Sequence, residues 1–268
     1  MTTIVRYLTF MIVVTGCTFA SPFAEEPEPE PILPGPMPVA QPCRTDEQGV
    51  VLCVDFEDPS LAAQAIDRSP HQNHAIAHDV ESTLRLPPDE RAAVLLPVSS
   101  LRVPESPSLD LATFTIEMWI YPEHKPGKGK DVGLFDNHNQ YSMRLRDGLR
   151  IRCGLGLISK TSASSVGAVL ERTWSHVACR YAEGQMRVYI NGHLSACQTL
   201  TALPLEGTLG SAIGAEIDPL APESLRDRFI GGVDNVRVYD RALEDDRICA
   251  AAGQAPGTCE STCPGKDS

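Results

Sequence analysis

Between residues 43 and 253 the chain alternates apolar and polar side chains in short runs, punctuated by glycine, proline and aspartate. A period of two places successive side chains on opposite faces of a strand. In the run 114–121, Phe114, Ile116, Met118 and Ile120 take one face, and Thr115, Glu117, Trp119 and Tyr121 take the other. The run 141–153 reads as two strands around Asp147-Gly148, a dipeptide that favours a tight hairpin turn. Met143, Leu145, Leu149 and Ile151 share its inward parity, which Cys153 continues, and Arg144, Arg146, Arg150 and Arg152 take the outward one. A second hairpin turns at Glu183-Gly184, with Val177, Cys179 and Tyr181 on one face, and Asn191-Gly192 marks a further tight turn. The stretch GGVDNVRVYD is a late strand, and helical spacing is confined to RALEDDRICAAA near the end. Many short strands with such punctuation, in about 210 residues able to bury one substantial core, predict an all-β sandwich or barrel with a short C-terminal helix.

The two ends of the chain follow different rules. Arg6 precedes an apolar stretch over residues 7–14, which is too short to span a bilayer and suits a signal-peptide core. Val14-Thr15-Gly16-Cys17 resembles the bacterial lipobox, in which small residues precede a cysteine that becomes lipidated. Residues 1–17 are therefore read as a signal segment with Cys17 as the lipidation site; cleavage after Ala20 or Ala24 is the other reading. Thr18 rather than aspartate follows the cysteine, which points to an outer membrane where a cell has two. Residues 18–42 are rich in proline, at every second or third position from Pro27 to Pro38, with glutamates among the first of them, an extended, semi-rigid linker that buries no core. Residues 254–268 form a small, polar tail holding two cysteines.

Cysteine arithmetic supports export. Of nine cysteines, Cys17 belongs to the signal, and the even remainder in an oxidising compartment is expected to pair as four disulfides. Zinc is the rival use, but no C-x-x-C occurs and Cys259-x-x-x-Cys263 has no second pair at finger spacing. The net charge of −12 argues against a nucleic-acid partner, and after the signal no stretch is long and apolar enough to cross a membrane.

The segments VDFEDP, AIDRSPHQNHAIA, FTIEMWIYP, YSMRLRDGLRIRCGLG, TWSHVACRYAEGQMRVYINGHL and FIGGVDNVRVYDRALEDDRI occur in that order over most of residues 51–252. In order and spacing they resemble the laminin-G-like jelly rolls of the concanavalin A-like lectin/glucanase group. The resemblance implies two antiparallel sheets packed face to face across residues 43–253. Strand parity then lets Cys153 meet Cys179 between neighbouring strands, and Cys43 with Cys53 makes a local staple at the domain entrance. The remaining four cysteines allow three pairings.

Glucanases of this group look like a strand carrying E-x-D-x-x-E or E-x-D-x-E, since the chemistry needs two carboxylates on one face. Here Glu117 is followed by Met118, Trp119 and Ile120, and Glu123 lies beyond a proline. A lone Glu117 does not run that mechanism and reads as an edge or surface carboxylate. No G-x-S-x-G elbow, P-loop or dinucleotide glycine motif occurs. His71, His74 and His78 have ligand-like spacing, yet they fall on a polar loop of the family and read as solvated. The resemblance further implies a structural calcium ion held by hard oxygen ligands, with Asp67 and Asp234 at the acidic positions and Asn73 as helper; a turn cap and a strand-start hydrogen bond are the plainer readings of the two aspartates.

Arg144, Arg146, Arg150 and Arg152, with Arg180 and Arg187 of the next hairpin, share the outward parity and are expected to form a basic patch on one sheet. Guanidinium forks suit carboxylate, sulfate and phosphate; pairing with nearby Asp or Glu on a solvated face is the alternative. The resulting expectation is a non-catalytic, lipid-anchored binding module for a polysaccharide or other extracellular polymer. A protein partner in adhesion or envelope structure is the second reading, and an enzyme with an unrecognised site the third.

Overall fold

The computed structural model describes residues 31–32, 43–44, 46–58, 61, 63–86, 90–138, 140–156, 161–201 and 207–264. The signal segment with Cys17, and all of the linker but Pro31 and Ile32, lie outside the described residues.

The first strands are β1 (Val50–Val54), β2 (Gln64–Ala65), β3 (Ala75–Leu86), β4 (Glu90–Val103) and β5 (Phe114–Pro122). The middle of the chain forms β6 (Asp131–Asn137), β7 (Tyr141–Arg146), β8 (Ile151–Leu155), β9 (Ser162–Ser164), β10 (Ser175–Ala182) and β11 (Gln185–Ile190). There follow β12 (His193–Thr199), β13 (Ser211–Ile213), β14 (Glu216–Ile217), β15 (Leu225–Arg226), β16 (Gly231–Tyr239) and the helix α1 (Asp245–Ala251).

Antiparallel pairing runs β12-β11-β10-β5-β16-β4-β13-β6-β7-β8-β9, with β1 added to β16 and β3 to β4. The path folds over at β4, whose residues 93–95 pair with β16 and whose residues 101–103 pair with β13. One layer thus holds β1, β16, β5, β10, β11 and β12; the other holds β13, β6, β7, β8 and β9. Phe114, Ile116, Met118 and Ile120 of the first layer meet Phe135, Tyr141, Met143, Leu145 and Ile151 of the second in one core. Each such side chain taken from water contributes about 1.5–3 kcal/mol. This is the two-layer antiparallel jelly-roll sandwich that the strand pattern and the resemblance imply.

Local chemistry sets the turns. Glu183-Gly184 and Asn191-Gly192 are two-residue hairpin loops with positive φ at both positions (50° and 75°, 51° and 84°), the backbone that matches strand twist. At Gly192 a side chain is also excluded by space, because the Cys259 sulfur lies 2.8 Å from where a Cβ would stand. The Asp147-Gly148 turn is one residue longer than the dipeptide implies. Asp147–Leu149 forms a 3-10 turn, closed by the Arg146 amide donating to the Arg150 carbonyl at 2.8 Å. Leu149 therefore leaves the strand, with φ 58°, and packs on the core margin.

All eight remaining cysteines are bonded, as Cys43–Cys53, Cys153–Cys179, Cys197–Cys263 and Cys249–Cys259. Cys153 and Cys179 do not sit on neighbouring strands as parity alone suggested. Both point inward, one from each layer, and their bond crosses the sandwich from β8 to β10.

The outer face of the first layer is buried as well. Val50, Ala178, Tyr189, Leu194 and Tyr239 form a second apolar cluster with Leu243 and Ile248, and Cys43, Cys197 and Cys263 pack at its edge. This cover overturns the surface reading of Glu117, which is 0% exposed in the middle of β5. Its carboxylate faces His176 at 3.6 Å and Arg237 at 3.7 Å, and accepts a 3.1 Å bond from the Tyr239 hydroxyl.

Candidate functional site

The structure divides the six outward arginines between two opposite faces of the sandwich. On the second layer Arg144 and Arg152 are cross-strand partners. Arg144 pairs with Glu216 at 3.0 Å, while Arg146 and Arg152 both reach Asp131, at 3.1 and 2.9 Å. Arg150 follows the turn and is half-buried. Arg180 and Arg187 are cross-strand partners on the first layer. The six therefore form no single basic patch, and five of them are paired to carboxylates. Strand parity gave the outward direction correctly, but the partners Asp131, Glu216 and Asp245 come from distant segments that parity does not address.

Arg180 and Arg187 nevertheless share a cavity of about 560 Å³, lined by Thr113, Ala182, Glu183, Gln185, Ala242 and Glu244 besides themselves. The groove exists because the β10–β11 hairpin ends at Glu183-Gly184 while the chain leading into α1 passes beside it. One carboxylate behind this lining holds both arginines. Asp245, the first residue of α1, lies 3.3 Å from Arg180 and 3.2 Å from Arg187, and accepts a 2.7 Å bond from the Tyr189 hydroxyl. Burial, and the acceptor Asp245, push the Tyr189 hydroxyl up to about 12, so it stays protonated and donates. The Arg187 Nε donates to the Gln185 side-chain oxygen at 2.8 Å. The Arg180 Nε is buried and makes no hydrogen bond within the protein. Glu183 and Glu244 are exposed on the rim. Sequence reading found two of these residues. It missed Thr113, Glu183, Gln185, Glu244 and Asp245, whose only signal is proximity to the hairpin turn and to the start of the helix.

The three residues proposed for calcium do not fit the ion as folded. Asp67 Oδ1 accepts from the amides of Cys53 (2.7 Å) and Ser69 (2.8 Å), and Oδ2 from the Ser69 hydroxyl (2.7 Å) and the Asn73 amide (2.6 Å). With both oxygens filled by donors, the carboxylate is a turn organiser. The Asn73 side-chain amide donates to the Val51 carbonyl and the Ser108 hydroxyl. Asp234 is buried opposite Trp119 and bonds the amide and side chain of Asn235 across a strand bulge. Among the described residues no three His, Cys, Asp or Glu side chains gather as a metal needs. His74 accepts the Asp67 amide, whereas His71 and His78 are exposed.

Two carboxyl groups have strongly perturbed protonation. Burial alone raises the Glu117 carboxyl, but His176 and Arg237 outweigh it and hold the group down to about 2. A buried carboxylate this acidic, salt-bridged inside the sheet, makes a poor general acid near neutral pH. Glu216, the first residue of β14, is pushed up to about 7, first by burial and then by Asp136, against the pull of Arg144.

No curated protein matches the chain in sequence. Several solved structures share its fold. Domain 4 of AbnA, a GH43 extracellular arabinanase from Geobacillus stearothermophilus solved with arabinotriose, aligns with a TM-score of 0.59 at 18% identity, over 76% of this chain and 98% of that one. The binding domain of Paraclostridial Mosquitocidal Protein 1 aligns with a TM-score of 0.58 at 17% identity, over 76% of this chain and 52% of that one. Trypanosoma rangeli sialidase in complex with the inhibitor DANA gives 0.57 at 17% identity, over 81% of this chain but only 35% of the sialidase. At these identities the likeness is one of fold. The family model described as the concanavalin A-like lectin/glucanases superfamily matches residues 98–249, more than half of the chain, and the protein belongs to that family.

Proposed function

We propose that this protein is an exported, non-catalytic glycan-binding module, anchored through a lipid on Cys17 and held off the membrane by the linker 18–42. The observation that carries the reading is the groove beside the Glu183-Gly184 turn. Its guanidinium, carboxamide, carboxylate and hydroxyl groups present fixed donors and acceptors at one open concavity, as recognition of a hydroxyl-rich ligand requires. Family membership adds support, as does the solved arabinotriose complex of a domain with the same fold. The four disulfides suit an oxidising, extracytoplasmic compartment. Fold alone does not decide function, so the groove is the part to test. The exported chain, purified with its disulfides formed, is screened against a glycan array. Binding to at least one glycan, lost with Arg187→Ala while the melting temperature holds, supports the reading. An array with no binder, or binding indifferent to Arg187→Ala, removes it.

A further inference from the structure

We propose that the groove selects uncharged, hydroxyl-rich glycans, and that Asp245 is the residue that keeps acidic ones out. The inference rests on the glycan-binding reading and names its ligand class. Two arginines facing each other across a ladder repel unless an anion lies between them, and here the protein supplies that anion. The Asp245 carboxylate stands within 3.3 Å of Arg180 and 3.2 Å of Arg187, and Tyr189 fixes its position. The guanidiniums are thus neutralised from below before any ligand arrives. Glu183 and Glu244 line the same groove at its rim. Counting Asp245, three carboxylates face two guanidiniums, which leaves the site formally one unit negative.

This balance has opposite consequences for two kinds of ligand. A uronate or sulfated sugar entering the groove meets arginines already committed to Asp245 and repulsion from the two rim glutamates. A neutral sugar meets unused hydrogen-bonding capacity of both signs. Each guanidinium carries five N–H donors, and the side chains of Arg180 and Arg187 remain partly exposed beside Asp245, 19% and 25%. The glutamate and glutamine oxygens accept. A hydroxyl group both donates and accepts, so a vicinal diol satisfies both sets at once.

The test compares neutral probes (arabinan, xylan and glucan oligosaccharides) with acidic probes of matched length (oligogalacturonate, alginate and heparan-type fragments). Each is titrated calorimetrically into the exported chain at two salt concentrations. The expected result is that the best neutral probe binds at least about tenfold more tightly than any acidic one, with little salt dependence. Asp245→Asn is expected to shrink that ratio about tenfold and to give acidic binding that weakens with salt. The double variant Glu183→Gln, Glu244→Gln moves selectivity in the same direction without touching the arginine pair, so the test survives if Asp245→Asn folds poorly. An acidic probe binding most tightly to the unaltered chain overturns the inference but leaves the module reading standing. So does a ratio that neither variant changes. Failure of every probe removes the module reading and this inference together.

Discussion

Arg180 and Arg187 stand opposite each other across the β10–β11 ladder and share one carboxylate, that of Asp245 sixty-five and fifty-eight residues away in the chain. The relationship ties the hairpin to the C-terminal helix and shapes the groove between them. It also explains why the basic patch expected from strand parity is absent: the charges that parity places outward are answered by segments folded over the sheet.

The sandwich is closed by Cys153–Cys179, which joins the layers across the core. Replacing both cysteines by alanine is expected to cost about 3 kcal/mol, in line with a loop of this length, or roughly 6–12 °C in melting temperature. Calorimetry checks this. A loss below about 1 kcal/mol contradicts a tie between the layers.

Stability should depend on pH through Glu216. Its carboxyl lies near 4.5 when unperturbed and is raised to about 7 in the fold. A raised carboxyl binds its proton more tightly folded than unfolded, so its contribution is full below about 4.5 and is lost as pH climbs to 7. Glu216→Gln should remove this component, flattening the stability curve over that window by about 2 kcal/mol. Parallel curves for the two proteins exclude a raised Glu216.

Calcium should not stabilise the fold through Asp67, whose oxygens are filled by amide and hydroxyl donors. Adding chelator is expected to move the melting temperature by less than about 1 °C. Asp67→Ala, by contrast, orphans four donors, and each buried donor left unmade costs about 1–3 kcal/mol. A calcium-dependent rise of several degrees contradicts this assignment.

How much of this was legible in the sequence depends on how far apart the determining residues lie. Inward Met143, Leu145 and Ile151 and the turns at Glu183-Gly184 and Asn191-Gly192 are local, and alternation or dipeptide chemistry reveals them. Glu117 was misread because its burial is imposed by α1, Tyr239 and the disulfide-held tail, which cover a face that a lone sandwich leaves wet. The partners of Cys153 were readable by parity, yet their place on opposite layers depends on how β4 folds over. The groove was half-readable for the same reason: Arg180 and Arg187 are on the hairpin, but Glu244 and Asp245 arrive from the far end of the chain.

Anchoring is a claim about Cys17. Metabolic labelling with a palmitate analogue in a bacterial host should mark the protein, and Cys17→Ser should abolish the label while an ordinary signal cleavage remains possible. Label retained by the serine variant, or absent from both, contradicts a lipid at that position.

The central claim is that the groove beside Arg187 holds a glycan. Its most direct test is calorimetric titration of the tightest-binding neutral oligosaccharide into the unaltered chain and into Arg180→Ala and Arg187→Ala. Saturable binding that each substitution weakens about tenfold or more, with melting temperatures within a few degrees of the parent, is the predicted result. Undiminished affinity in both folded variants places any glycan site elsewhere and contradicts the account.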